Sequence, residues 1–151
     1  MTAAERIATI GGLGQIVPAA PGTAASFLTV LVAWGLASIH GPLPVTIAAV
    51  AATALGVWAA ERYARERGTH DPSECVIDEV AGQLVAGAFV PRTLPAYALA
   101  FLLFRLFDIV KPWPIGAAER LPGGIGIMAD DVLAGALAGI LILALLQLRV
   151  L

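Results

Sequence analysis

Apolar residues fall into five runs, at 27–39, 44–60, 76–90, 96–110 and 132–148, each bounded by glycine, proline or polar residues. Polar–apolar alternation is nowhere sustained, so the pattern predicts helices and no strands. The second run with its flanks and the fifth approach the ~20 residues that a membrane crossing needs. The other three need flanking residues or stop short of one interface. His40-Gly41-Pro42-Leu43-Pro44, Pro91-Arg92-Thr93-Leu94-Pro95 and the connector at 111–129 separate the runs, as proline and glycine punctuate helices. The expected fold is all-α: a compact integral-membrane helical bundle of about five apolar helices plus short interfacial helices, with the third run central. No internal repeat divides the chain, and a single domain is expected over 1–151.

Composition moves this bundle into a membrane. The chain is 59% hydrophobic and 13% charged, with a mean hydropathy of +0.87, where soluble domains run near 45–50% and about 25%. The surplus has to face lipid. A net charge of -2 argues against nucleic acid as a partner, which would want a basic surface. Cys75 is the one cysteine, so no internal disulfide and no thiolate metal cluster can form; it reads as a small apolar residue. Residues 1–9 carry Glu5 and Arg6 with no long apolar core behind them, and no cleaved signal peptide is expected. Arg6, Arg62, Arg65, Arg67, Lys111 and Arg120 fall in connectors on one side, and Arg92 and Arg149 on the other. With five crossings, this bias puts the amino terminus in the cytoplasm and the carboxyl terminus outside.

The acids then stand out. Asp78 and Glu79 open the third run, Asp108 closes the fourth, and Asp130 and Asp131 open the fifth. An acid at mid-bilayer costs roughly 2.5–3.5 kcal/mol, so acids beside lipid-grade sequence belong near a surface, in a polar interior or around a cation. The topology brings all of these to the cytoplasmic edge. Asp131, Gly135 and Gly139 are spaced four apart, as are Asp78 and Gly82; small residues at this spacing let helices approach closely beneath the acids. Arg105, Asp108 and Lys111 recur every three residues and share a broad helix face. Acids at helix starts also complement the helix dipole, but Asp108 lies at a helix end, where Arg105 is its simplest partner. Carboxylates gathered this closely need protonation or a cation. Without a cysteine cluster, and with only His40 and His70, an all-oxygen site favours Mg²⁺ over zinc. His40 reads as an interfacial turn residue and His70 as a solvated loop residue. Upstream, the stretch from Gly11 to Thr23 cannot be one helix, because glycines and prolines interrupt it. It is either a connector or a set of backbone N–H groups suited to an anion, with Gly14 and Thr23 as candidate contacts.

Several strings together resemble the phosphatidylglycerophosphatase A family. They are Thr69-His70-Asp71-Pro72, Ile77-Asp78-Glu79-Val80-Ala81-Gly82, Phe107-Asp108-Ile109-Val110-Lys111-Pro112-Trp113-Pro114 and Asp130-Asp131-Val132-Leu133-Ala134-Gly135. Gly12-Leu13-Gly14 and Ala20-Pro21-Gly22-Thr23 are similar to the family's amino-terminal signature. Ala129 departs from it, where a bulkier apolar residue is expected. The resemblance implies a Mg²⁺-dependent lipid phosphatase of the bacterial inner membrane, multi-pass, with its site facing the cytoplasm. It would hydrolyse phosphatidylglycerophosphate to phosphatidylglycerol and phosphate. Asp78, Glu79, Asp108, Asp130 and Asp131 would hold the metal, and Asp78, Glu79, Asp108, Lys111 and Asp131 would form the catalytic set. Lys111 and Arg105 would hold phosphate oxygens, since positioning and electrostatics carry most phosphoryl transfer. Attack by water and attack by an aspartate both stay open, as does homo-oligomerisation. A cation- or proton-coupled transporter is the competing class. It would want charge distributed through the membrane, whereas the far parts of all five runs are apolar.

Overall fold

The computed structural model describes residues 1–17 and 19–149, and among them it contains helices and no strand. In chain order these are α1 (Ala3–Ala8), α2 (Leu13–Ile16), α3 (Pro21–His40), α4 (Pro42–Arg67), α5 (Ile77–Ala88), α6 (Leu94–Val110), α7 (Ile115–Ala118) and α8 (Gly123–Gln147).

Three helices are long and apolar enough to cross a membrane: α3 with 20 residues, α4 with 26 and α8 with 25. Their outward faces carry Phe27, Leu31, Ile47, Val50 and Ile140, all exposed, which is where the apolar surplus goes. The five-crossing expectation is therefore revised. α5 has 12 residues, or about 18 Å at the helical rise, well short of the ~30 Å hydrocarbon core. Pro91 explains its early end, because the residue before a proline is pushed out of the helical region. α5 instead packs against α3, α4, α6 and α8 and buries Ile77, Asp78, Ala81, Gly82, Gln83, Leu84, Ala86 and Gly87. It is the centre of the bundle rather than a wall.

Small residues set the helix spacing. The core around α5 is rich in alanine, with Ala33, Ala49, Ala86, Ala100, Ala134 and Ala138 all buried. Where α5 crosses α8, a Cβ on Gly135 would lie 2.1 Å from the Gly82 carbonyl oxygen, and one on Gly82 would lie 2.5 Å from that of Asp131. No side chain fits at either position, so the two backbones meet directly.

Two helix boundaries differ from the apolar runs. α4 continues past its apolar part through the i,i+4 pairs Glu61–Arg65 and Arg62–Glu66 and stops at Gly68, which is left-handed. α8 begins at Gly123, ahead of the acidic pair. Its first turn has no local side-chain cap; Glu61 of α4 accepts the Gly124 N–H instead, satisfying one of the helix's orphan donors.

Candidate active site

The α5–α8 crossing builds the site. Asp78 sits one turn above Gly82, and Asp131 one turn above Gly135, so bringing the glycines together brings the carboxylates together. Oxygen atoms of Asp78, Glu79 and Asp131 lie within 4.8 Å of one another. Asp78 is 9% exposed and Asp131 3%. One oxygen of each, Asp78 Oδ1, Glu79 Oε2 and Asp131 Oδ2, is buried with no hydrogen-bond partner among the described residues. Buried polar atoms are almost always paired, so three unpartnered carboxylate oxygens this close together form a cluster of the kind that could hold a cation.

Helix dipoles account for part of this. Asp78 and Glu79 lie in the first turn of α5, where a negative charge is favoured. Asp131 does not share that explanation. It lies about 12 Å into α8 by the helical rise, beyond the first turn where the dipole acts. The expectation that the acidic pair opens its helix is corrected accordingly. Burial, with Glu79, Cys75 and Asp131 close by, holds the Asp78 carboxyl well above the usual carboxylate range. Burial also raises Glu79, and the pull of Asp78 and Arg105 in the other direction does not offset it.

Arg105 closes one side of the cage. Its Nη1 lies 2.5 Å from Asp108 Oδ2 and 3.7 Å from Glu79 Oε1. This pairing compensates Asp108 for its place in the last turn of α6. Asp108 adds a further negative charge near Asp131. The start of α3 closes another side, since a Cβ on Gly22 would lie 1.8 Å from Glu79 Oε1. Thr23, in the same first turn, is exposed beside it.

Lys111 and Asp130 form a second group. Lys111 caps α6 in the left-handed conformation, φ 48, so it leaves the face that Arg105 and Asp108 share. Its Nζ lies 2.5 Å from Asp130 Oδ2 and 2.9 Å from Glu119 Oε1. Burial works against its charge, but the hydrogen bonds it donates to Asp130 and Glu119 outweigh it and hold the lysine above its ordinary pKa. Asp130 is thus paired with a lysine, while Asp108 and Glu79 pair with Arg105.

The glycine-rich turn near the amino terminus has a structural role at Gly14. Its N–H donates to the Thr9 carbonyl at 3.1 Å, and a Cβ there would lie 2.0 Å from the Glu74 carbonyl oxygen. That close approach fixes the loop leading into α5, together with the bond from Val76 N–H to the Ala8 carbonyl. The expected free amide at Gly14 is therefore absent. Beyond its i,i+4 pair with Arg65, Glu61 reaches Gly124 across the fold, and Glu119 meets Lys111 eight residues away, a spacing no helix face announces. His40 and His70 are exposed and stand apart from the cage.

Crowded carboxylates beside an arginine thus stand at one end of a helical bundle whose outer faces are apolar. The family model for phosphatidylglycerophosphatase A matches residues 6–146, and the chain belongs to that family. It is a phosphoric monoester hydrolase of phospholipid metabolism. A protein of Bacteroides thetaiotaomicron named putative phosphatidylinositol-3-phosphatase is 39% identical, over 83% of this chain and 82% of its own length. Phosphatidylglycerophosphatase A of Haemophilus influenzae is 38% identical, over 89% and 83% respectively. Phosphatidylglycerophosphatase A of Escherichia coli is 35% identical, over 86% and 75%. No solved structure matches.

Proposed function

We propose that this protein hydrolyses phosphatidylglycerophosphate to phosphatidylglycerol and phosphate, with Mg²⁺, at the cytoplasmic edge of a bacterial inner membrane. The observation that carries the reading is the cage of Asp78, Glu79 and Asp131, with three buried, unpartnered oxygens. A phosphomonoester dianion cannot approach such a cage unless its charge is met. The donors are oxygens alone, which suits a hard cation such as Mg²⁺. Asp78, Glu79 and Asp131 would hold it, with Asp108 the nearest further acid. When bound, Mg²⁺ supplies a Lewis acid toward the phosphoryl oxygens.

The chain's own groups do the remaining work. Arg105 is fixed by Asp108 and Glu79 at the rim, and its Nε–H is unpartnered, leaving a donor for a phosphate oxygen. Lys111 supplies a second cation by exchanging Glu119, the more exposed of its two partners, for the incoming phosphate. Asp130 keeps that lysine charged and aimed. Thr23 offers its hydroxyl from the first turn of α3. Gly14 serves packing, so substrate contact falls to Thr23, Arg105 and Lys111. The acyl chains extend from the site along the exposed apolar faces of the bundle.

Chain direction supports the orientation. α3, α5 and α8 start at the site end, and α4 and α6 finish there. That end therefore carries Arg6, Arg62, Arg65, Arg67, Lys111 and Arg120, and the far end Arg92 and Arg149. The shortness of α5 leaves this alternation intact, and the positive-inside bias favours the cytoplasm.

The test is phosphate release by purified protein from phosphatidylglycerophosphate and from phosphatidylinositol 3-phosphate, each with Mg²⁺ and with chelator. Metal-dependent release from the first lipid, and slower release from the second, is expected. Preference for the inositol lipid would transfer the activity to that substrate, and no release from either by folded protein would overturn the reading.

A further inference from the structure

One face of α6 changes character along its length. Leu94, Ala98, Phe101, Arg105 and Asp108 recur at alternating spacings of four and three, so they share a stripe that runs from apolar to charged. α3 mirrors it with Thr23, Phe27, Leu31 and Trp34. Between the two stripes lies a groove of about 560 Å³ whose walls include Phe27, Leu31, Trp34, Ala98, Phe101 and Leu102. Its lining is aliphatic and aromatic throughout.

The two ends of the groove differ. At one end Phe27 and Phe101 meet edge to face at 6.1 Å. The next turn of α6 brings Arg105, bonded to Asp108 and facing Glu79. The preceding turn of α3 brings Thr23 and Gly22, the latter against Glu79. The groove therefore lies one helical turn below the residues of α3 and α6 that flank the acid cage, with the Phe27–Phe101 pair between them. At the other end Trp34 packs edge-on against Tyr97 at 5.2 Å. Arg92 stacks over Trp34 at 4.4 Å and donates to its carbonyl at 3.1 Å, forming a floor. Phe27 to Trp34 rises ~10 Å along the helix, within the ~15 Å depth of one leaflet, half of the ~30 Å core.

We infer that this groove holds one acyl chain of the lipid whose phosphate is cleaved, an inference that rests on the lipid phosphatase reading above. Position decides the occupant. A chain lying between α3 and α6 hangs directly below the cage, so its own headgroup sits against Asp78, Glu79 and Asp131. A bystander lipid seated there would block the site. A second apolar groove, of about 420 Å³ and lined by Val50, Thr53 and Phe89 among others, lies between α4 and the α5–α8 pair and serves as the comparison.

The experiment measures kcat/KM of the full chain in detergent for a long-chain phosphatidylglycerophosphate and for its dibutanoyl analogue. Ala98 and Leu31 are exposed on opposite walls, so Ala98→Trp and Leu31→Trp each fill the groove with little cost to the fold. Both should lower kcat/KM for the long-chain lipid at least tenfold, chiefly through KM, and leave the dibutanoyl rate within twofold. Val50→Trp, in the second groove, should change neither. Equal loss on both substrates, no loss on either, or the same selective loss in Val50→Trp would overturn the inference and make the groove ordinary lipid-facing surface. Wild-type protein that cleaves neither substrate would instead overturn the phosphatase reading, and this inference with it.

Discussion

Gly135→Ala is the substitution whose outcome the α5–α8 crossing fixes most tightly. The added Cβ would lie 2.1 Å from the Gly82 carbonyl oxygen and 2.9 Å from its carbon. Neither atom belongs to a side chain that can rotate away, so the helices themselves have to part. Two effects oppose each other. Alanine is favoured over glycine in a helix by about 0.8–1.0 kcal/mol. Overpacking costs about 1–3 kcal/mol, sometimes more, and a backbone obstacle belongs at the upper end. The net loss is about 1–2 kcal/mol, or a fall in Tm of about 2–8 °C for a chain of this size. Parting the helices also spreads the carboxylates one turn above, so turnover should fall at least tenfold. Gly35→Ala is the control. A Cβ there meets nothing within 4 Å, so the propensity gain stands alone, Tm should rise, and turnover should hold. Thermal unfolding in detergent and phosphate release are the assays. If Gly135→Ala raised Tm as Gly35→Ala does, with full activity, the backbone contact and the argument from it would be refuted.

Further expectations concern the charged groups. Asp78→Asn and Asp131→Asn should each abolish turnover without lowering Tm, because each removes one of several crowded negative charges; near-normal rates in both would return these acids to structure. Lys111→Met should lower turnover strongly while metal binding persists, and Lys111→Arg should restore it only partly, since a planar fork does not replace a compact ammonium; full rescue by arginine would reduce the lysine to a general cation. Burial, with Asp71 and Glu79 near, pushes the Cys75 thiol up to about 12. Alkylation at pH 8 should therefore be negligible in folded protein and complete in SDS, and rapid labelling of the folded state would contradict the packing of the loop before α5. Because burial raises Asp78 above its unfolded value, metal-free protein should be most stable below that unfolded value. It should lose stability as pH rises through the raised range. Added Mg²⁺ should restore Tm at the higher pH, and a Tm profile without that metal-dependent recovery would count against the cage.

The register of the site was legible because it depends on local spacing. Asp78 with Gly82, and Asp131 with Gly135, state the crossing in four-residue steps. Where an apolar run stops being a helix is a different matter. The run at 76–90 read as a membrane span, yet Pro91 cuts the helix at Ala88, and depth depends on length. The start of α8 was missed because Pro122, Gly123 and Gly124 carry no capping side chain, and the cap comes from Glu61 on another helix. Glu119 was invisible for the same reason. α1 is legible locally: Thr2 and Glu5 form a capping box, a signal carried by three-residue spacing alone. The three-residue spacing of Lys111 from Asp108 says nothing of Asp130, which the lysine meets because its backbone is left-handed.

The central claim is that Asp78, Glu79 and Asp131 hold a metal on which phosphate release depends. A Mg²⁺ titration of phosphate release from phosphatidylglycerophosphate, for chelator-treated wild type and Asp131→Asn side by side, tests it most directly. Wild type should be silent without metal and rise to saturation, while Asp131→Asn should stay near background across the same range. Full release by chelator-treated wild type, or superimposable curves for the two proteins, would contradict the claim.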